Sequence, residues 1–298
     1  MMRIYQWWKG ISSMVDFAFR NLTLFFKDRM AVLLSFLAEF IVVVLYILFI
    51  RKNMIEGFST VAKIDLMIDV WMISGILGIT SVTTTMGAYG IMVDDKAKHI
   101  QRDFATSPIR GFALLGGYMG GAVVIGLFMT ILLFLVSALY ILHRYEVLLG
   151  AGQRITLLLI FMLITVSNSS MVLFIVSFLK SSNALASCCT ILGALIGFLT
   201  GIYIPMGNLP EGVKTLIKCF PSSHAVVLLR QILMEPLIDE NLNGLDGYLA
   251  QGFMQYLGVQ YVWKGNVITT KDSVLFLVAV TGLFFILSII KGQKTVRL

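Results

Sequence analysis

Charged residues are scarce in this chain. Only 13% of its 298 residues are Asp, Glu, Lys or Arg, whereas a soluble domain carries about a quarter. Hydrophobic residues make up 58% of the sequence, and the mean hydropathy is +0.90. This composition excludes an ordinary soluble domain and indicates an all-α integral membrane protein. The net charge of +7 does not indicate nucleic-acid binding, because the cytoplasmic loops of membrane proteins carry an excess of Lys and Arg.

Cysteine and histidine are also rare, with three residues of each type. The cysteines are Cys188, Cys189 and Cys219, and the first two are adjacent within an apolar run. An odd number of cysteines without a C-x-x-C pair argues against a disulfide framework or a metal site. We therefore predict three unpaired thiols, no metal and no catalytic residues.

Long apolar runs, by contrast, occur throughout the chain. A helix needs about 20 apolar residues to cross a membrane. Six runs reach that length and predict spans one to six at 30–50, 66–93, 111–142, 155–179, 184–204 and 273–290. Lys and Arg concentrate before span one, between spans two and three, and after span six, which predicts that both termini are cytoplasmic. The segment 205–272 is then external.

The segment 1–29 precedes span one and is predicted to be an amphipathic helix. Apolar residues recur at helical spacing over 4–26, and Trp7 and Trp8 stand beside Lys9. Aromatic and basic residues in this pattern suit a helix that lies in the cytoplasmic membrane interface. The alternative is a helix packed on the protein.

Proline is rare but clustered: three of the five prolines lie within 201–230, directly after span five. Glycine loosens a helix and proline breaks it. Broken backbone at membrane depth must be covered by protein or line a water-filled cavity. We therefore predict that this stretch forms an external gate. The candidate gate residues are Gly201, Tyr203, Pro205, Pro210, Pro221, His224 and Arg230.

The Pro-Ser-Ser-His sequence at 221–224 has a competing interpretation, because it resembles the Pro-Ser-Gly-His element of membrane lipid phosphatases. That chemistry needs a second histidine as nucleophile and cationic groups that bind phosphate. His143 lacks the neighbouring residues of such a site, and His99 is predicted on the cytoplasmic side. We expect His224 to make a polar contact within the external segment instead.

The loop 94–110 is the most polar connection between two spans. Nine of its seventeen residues are Asp, Lys, His, Arg or Gln. It is predicted to form a short helix over 95–104 that stops before Pro108, because the residue before a proline disfavours the helical region. It is either a solvated connector or a docking helix for a cytoplasmic partner. The candidate docking residues are Asp94, Asp95, Lys96, Lys98, Arg102, Asp103, Phe104, Pro108 and Arg110.

Two segments carry a resemblance to a known family. Residues 105–110, Ala-Thr-Ser-Pro-Ile-Arg, resemble the ATP(I/V)xR sequence in the coupling loop of ABC-2 type transporter permeases, with Ser107 inserted before the proline. The predicted gate resembles the corresponding stretch of daunorubicin and multidrug-resistance exporters in that family. The matching positions are Gly201, Pro205, Leu209, Pro210, Pro221, Ser223, His224, Leu229 and Arg230.

The resemblance implies the fold of a type V ABC exporter. In that fold an N-terminal interface helix precedes a six-span transmembrane domain, here 30–298, and a re-entrant helical hairpin lies between spans five and six. The loop 94–110 would be the coupling helix, seated on an ATPase subunit. A second permease copy would complete a homodimer or a heterodimer in the plasma membrane of a prokaryote.

The sequence G-x-x-x-x-G-K-[ST] that cradles nucleotide phosphates is missing from the chain. The resemblance therefore implies that ATP and Mg²⁺ bind to a separate ATPase subunit. The expected substrate is an amphipathic drug, antibiotic or peptide. Export of a lipid-linked polysaccharide or lipid is the alternative, because Tyr248, Tyr256, Tyr261 and Trp263 in the external segment leave sugar stacking open.

Three residues within the spans are candidates for the pathway or the dimer contact. Glu39 lies in span one, and an intramembrane carboxylate either serves function or bonds to a neighbouring Ser or Thr. Gly193 and Gly197 recur four residues apart in span five, and small residues at this spacing let helices approach closely. The resemblance implies that spans one and five border the second subunit.

Overall fold

The computed structural model describes residues 2–59, 61–100, 111–146, 150–242 and 247–296. The longer helices are α1 (Met2–Lys27), α2 (Arg29–Ser35), α3 (Leu37–Leu45), α4 (Arg51–Gly57), α5 (Ile64–Ala88), α6 (Gly90–Ala97), α7 (Gly111–Tyr145), α8 (Ala151–Ser177), α9 (Ser182–Leu199), α10 (Glu211–Cys219), α11 (Pro221–Leu242), α12 (Gly247–Leu257) and α13 (Thr270–Val296). A π-helical turn, Tyr46–Ile50, joins α3 to α4, and a 3₁₀ turn spans Met206–Asn208. Strands β1 (Tyr261–Trp263) and β2 (Asn266–Ile268) form an antiparallel hairpin.

Six of these helical segments are long and apolar enough to cross a membrane, which confirms the prediction of an all-α protein with six spans. Spans one to six are Val32–Gly57, Ile64–Ala97, Ala113–Tyr145, Gly152–Ser177, Ser182–Leu199 and Thr270–Lys291. Span five is shorter than the predicted 184–204. Its helix ends at Leu199 because Gly201 has a φ of +64°, a left-handed conformation that glycine adopts without strain.

Span two is the centre of the bundle. It packs against spans three and four and against α11, and 89% of its most apolar stretch is buried, compared with 11% in span five. Spans one and five instead expose large apolar side chains, among them Phe40 and Ile191. A membrane protein hides such surface in lipid or against another subunit.

The N-terminal helix α1 packs along span three. Met14 lies against Gly116, Asn21 lies against Gly121, and the Phe26 ring contacts the Phe128 ring. The contacting residue numbers increase together along the two helices, so α1 runs parallel to span three over this stretch. One face of α1, which buries Phe17, therefore packs on the protein, as the alternative interpretation of 1–29 predicts.

The opposite face of α1 exposes Val15 and Phe19 at 45% and 66%. An apolar face of this kind suits the membrane interface. The position of α1 relative to the membrane stays a prediction.

Helices α10 and α11 form a helical hairpin that reaches deep into the bundle. The turn between them is followed by Ser222, whose hydroxyl donates to Asn168 Oδ1 at 2.8 Å. Asn168 Nδ2 in turn donates to Ser81 Oγ, at the midpoint of span two. From that level α11 runs back toward the Ile64 end of span two, and its first ten residues are all buried. Insertion of this hairpin into the outer leaflet stays a prediction.

Candidate gate and coupling sites

Arg230 is the centre of the candidate gate. It is fully buried, and its guanidinium donates to three backbone carbonyls. Nη2 lies 3.0 Å from Gly201 O, and Nη1 lies 3.0 Å from Leu257 O and 3.4 Å from Gly258 O. The guanidinium carbon is also 4.7 Å from the centre of the Trp71 ring, a distance at which a cation is attracted to the ring face. One side chain thus ties the turn after span five, the turn after α12 and span two together.

The glycines at these turns are required by their geometry. Gly258 has a φ of +68°, and a Cβ there would lie 2.8 Å from Met206 Cγ and 3.1 Å from Arg230 Nη1. The Trp71 indole donates to Leu257 O at 2.7 Å, so the same carbonyl accepts from two buried donors. The sequence pattern joined Gly201 and Arg230 in one segment, and the structure brings them into direct contact.

The prolines of the predicted gate shape its helices. Pro205 precedes the 3₁₀ turn, and Pro210 is the residue before α10. Pro221 is the first residue of α11, a position that tolerates proline because its backbone N–H would be unpaired anyway. Tyr203 folds back on span five, where a Cβ at Gly197 would lie 2.2 Å from its ring. Each of the three prolines thus precedes or begins a helical element: the 3₁₀ turn, α10 and α11.

His224 makes the polar contact expected of it. Its Nε2 donates to Lys218 O at 2.8 Å, and its Nδ1 lies 3.1 Å from Ser273 Oγ. The ring lies near those of Tyr261 and Phe276, and burial lowers the pKa of His224. The ring is therefore neutral at pH 7 and links α10, α11 and span six.

No group of three or more His, Cys, Asp or Glu residues that would hold a metal ion occurs in the described part of the chain. With both ring nitrogens engaged, His224 is a structural residue in this conformation.

The candidate docking residues divide into two groups. Arg102, Asp103, Phe104, Pro108 and Arg110 lie outside the described residues. The predicted helix over 95–104 is not continuous: Asp95 is helical within α6, but α6 ends at Ala97, and 101–104 lie outside the described residues. His99 then takes a φ of +59°, which interrupts the helix.

Asp95 is not available to a partner. It is 3% exposed, accepts two bonds of 2.9 Å from Arg20 and one of 2.7 Å from Tyr118. These hydrogen bonds with Asp95 raise the pKa of Arg20. We therefore reassign Asp95 from docking to holding α1 and span three against the end of span two.

Its neighbours are also engaged within the chain. Asp94 accepts from Ser182 Oγ at 2.7 Å, and Lys96 Nζ lies 3.3 Å from Val176 O. Lys98 alone of the described candidates is exposed. Its role and those of 102–110 stay a prediction.

Glu39 is a buried carboxylate at the contact between span one and span two. It is 2% exposed, and its Oε1 accepts from Thr83 Oγ1 at 2.6 Å. Its Oε2 has no hydrogen-bond partner among the described residues. The expected bond to a span-two threonine is therefore present, and one oxygen stays unsatisfied.

The two candidate glycines of span five differ. Gly197 is covered by the Tyr203 ring, whereas a Cβ at Gly193 would meet no atom within 4 Å. Gly193 therefore belongs to an open surface. A role in a dimer contact stays a prediction for both.

A second carboxylate, Asp69, was missed by the sequence analysis. It is 2% exposed and accepts from Tyr46 OH at 2.6 Å, Arg51 Nε at 2.8 Å, Tyr145 OH at 2.6 Å and Tyr140 OH at 3.0 Å. The donors come from spans one and three. The rule that singled out Glu39 as a carboxylate within an apolar run applies equally to Asp69.

These features define a polytopic helical membrane protein with a clamped helical hairpin and buried polar links between its spans. Residues 65–290 match the family described as ABC-2 family transporter protein. The match covers most of the chain, and the protein belongs to this family. A comparison with curated proteins finds no match. Members of the family are membrane components of ABC transporters, which in general work with an ABC ATPase.

Proposed function

We propose that this chain is the permease subunit of an ABC exporter that moves an amphipathic drug, antibiotic or peptide out of a prokaryotic cell. Separate ATPase subunits would bind ATP and Mg²⁺ and would drive the permease from its cytoplasmic face. The family match over 65–290 carries this proposal. The daunorubicin and multidrug-resistance branch is supported only by the sequence pattern of 201–230.

The arrangement of the spans supports a route between two permease copies. Spans one and five leave large apolar surfaces uncovered, including Leu48 and Leu195. The hairpin of α10 and α11 follows span five directly and is held by Arg230. In this proposal the hairpin closes the external end of the route, and both termini are cytoplasmic.

The contacts of Asp95 near the loop 94–110 favour transmission of force from this loop to spans two and three. The loop 98–110 connects them, and Asp95 ties α1 and span three to span two near that loop. Movement imposed on the loop by closing ATPases would therefore act on three helices together.

A reconstituted complex tests the proposal. The tagged chain should copurify with an ABC ATPase, and liposomes containing both should move an amphipathic dye only when ATP is supplied. The double variant Arg102→Glu, Asp103→Lys should lower this transport at least about tenfold, because reversed charges at a docking surface cost several kcal/mol. Lys271→Glu reverses an exposed charge at the start of span six, on the predicted external side. This variant should leave transport unchanged.

Two results would contradict the proposal. One is full transport by the permease without any ATPase. The other is unchanged ATP-driven export by the double variant.

A further inference from the structure

A cavity of about 710 Å³, lined by both charged and apolar residues, lies beside the clamped hairpin. Its walls come from the 3₁₀ turn, α10, α12 and the β-hairpin. The residues that bear on its chemistry are Glu211, Lys214, Lys218, Gln260, Trp263 and Lys264. None of these residues takes part in the Arg230 clamp.

The walls of this cavity are fixed by local backbone geometry. Strands β1 and β2 are joined by Lys264 and Gly265, both with positive φ, of 50° and 84°. This is the combination required by the tight hairpin turns that suit two twisted strands. On the other wall, the Tyr256 ring lies so close to Gly207 that a Cβ there would be 2.0 Å from Cδ2. The cavity is therefore preformed.

The charges around the cavity are unbalanced. Three lysines and one glutamate line it, and the glutamate, Glu211, is paired with Lys214 at 2.8 Å. Lys218 Nζ donates to Val262 O at 2.7 Å, which fixes its position and leaves further N–H groups of the ammonium for a ligand. Ammonium groups grouped around a concave site attract anions, and lysine is a common ligand of phosphate.

The cavity also offers groups that an inorganic anion would not use. The Oε1 of Gln260 is buried and has no hydrogen-bond donor among the described residues. A buried acceptor normally finds a donor, and rotation of the Gln260 side chain toward the cavity that it lines would bring Oε1 to a ligand hydroxyl. The Trp263 side chain is 37% exposed and gives the site a flat apolar face. These groups together suit a ligand that carries hydroxyls as well as negative charge.

We propose that this cavity binds the phosphate ester of a polyol. The lysine ammonium groups contact the phosphate, and Gln260 accepts from a hydroxyl of the polyol against the Trp263 ring. The ligand is either a soluble polyol phosphate or the headgroup of a phosphoglycerol lipid, which share this chemistry. The site belongs to the permease alone, so the proposal does not depend on an ATPase or on the exported substrate.

The test measures binding to the purified full-length chain without an ATPase. Titration calorimetry in detergent uses glycerol 1-phosphate and inorganic phosphate as probes. A second arm compares nanodiscs of phosphatidylglycerol with nanodiscs of phosphatidylcholine. We expect saturable binding of glycerol 1-phosphate or of phosphatidylglycerol, and the arm that shows it identifies the source.

Three variants locate the binding. Lys214→Gln with Lys264→Gln should weaken it at least about tenfold, because hydrogen bonds to charged groups are lost. Gly252→Phe should abolish it by filling the cavity. A Cβ at Gly252 meets no atom within 4 Å, so the new side chain starts from open space, and an unchanged thermal transition would show that the fold is retained. Lys271→Gln removes an exposed lysine that does not line the cavity and should have no effect.

Several outcomes would overturn the inference. These are no saturable binding of either phosphoglycerol probe, equal binding in Gly252→Phe, and equal weakening in Lys271→Gln. Inorganic phosphate that binds as tightly as glycerol 1-phosphate would refute the role of the polyol. Failure of ATP-driven export with intact binding would count against the proposed function and not against this site.

Discussion

At the scale of single residues, Arg230 shows how a buried cation is tolerated without an ion pair to any described carboxylate. Burial lowers the pKa of Arg230 to about 10, so the group keeps its charge at pH 7. Three carbonyl oxygens and the Trp71 face replace most of its lost hydration, whereas its Nε has no hydrogen-bond partner among the described residues. The planar guanidinium presents separate N–H groups to two turns at once, whereas an ammonium concentrates its donors on one atom.

The substitution Arg230→Lys tests this role. We expect the turns at 201–204 and 257–259 to open more often, because one set of charge-assisted bonds is lost. Each such bond contributes about 1.5–3 kcal/mol, so hydrogen exchange of their backbone amides should accelerate at least about tenfold. Arg154→Lys changes an exposed arginine and serves as control. Unchanged exchange at both turns would show that Arg230 does not hold them.

At the scale of elements, glycine on span three sets the position of α1. A Cβ at Gly117 would lie 2.8 Å from Phe17 Cδ1 and 3.1 Å from the backbone oxygen of Met14. The two helices therefore touch almost at backbone distance. Asp95 stabilises the same contact through its hydrogen bonds with Arg20. Asp69 joins spans one, two and three near the opposite end of span two. Polar links thus fix both ends of span two.

We predict that Gly117→Leu displaces α1 from span three. Overpacking of a close helix contact costs about 1–3 kcal/mol, and a new side chain cannot push the Met14 backbone aside without moving the whole helix. The thermal transition in detergent should fall, and α1 should become sensitive to limited proteolysis. Gly282→Leu in span six, where a Cβ meets no atom within 4 Å, should change neither. Equal effects from the two variants would contradict the assigned contact.

At the scale of the whole molecule, apolar surface is left uncovered on span one and on spans three to six. Lipid covers such surface without specificity, whereas a second permease copy covers one defined part. The open environment of Gly193 suits close approach of another helix. The proposed dimer would therefore meet along span five.

Cysteine cross-linking tests this arrangement. In a variant that lacks the native cysteines, Gly193→Cys should form a disulfide-linked dimer in native membranes after mild oxidation, because paired cysteines need Cα atoms about 5–6 Å apart. Val278→Cys places the thiol on an exposed position of span six and should stay monomeric. Cross-linking through Val278→Cys alone would place the dimer contact on another face.

The sequence alone was sufficient for the class of the fold. Apolar runs of about 20 residues have the length of membrane-spanning helices, which pair all their backbone groups internally, and the structure places a helix at each run. The resemblance in two short segments also led to the correct family. Both predictions succeed for a physical reason. The length of a span and the position of a backbone break depend on residues that are consecutive in the chain.

Contacts between distant segments were decided by the tertiary structure. Asp95 reads as one charge among many in a polar loop, yet it pairs with Arg20, 75 positions earlier in the chain. Arg230 and Gln260 both lie in the predicted external segment 205–272, but the fold places Arg230 in the clamp and Gln260 on the cavity wall. Periodicity and composition describe each helix by itself. Which face meets which neighbour depends on the packing of all helices together, and no single stretch of sequence contains that information.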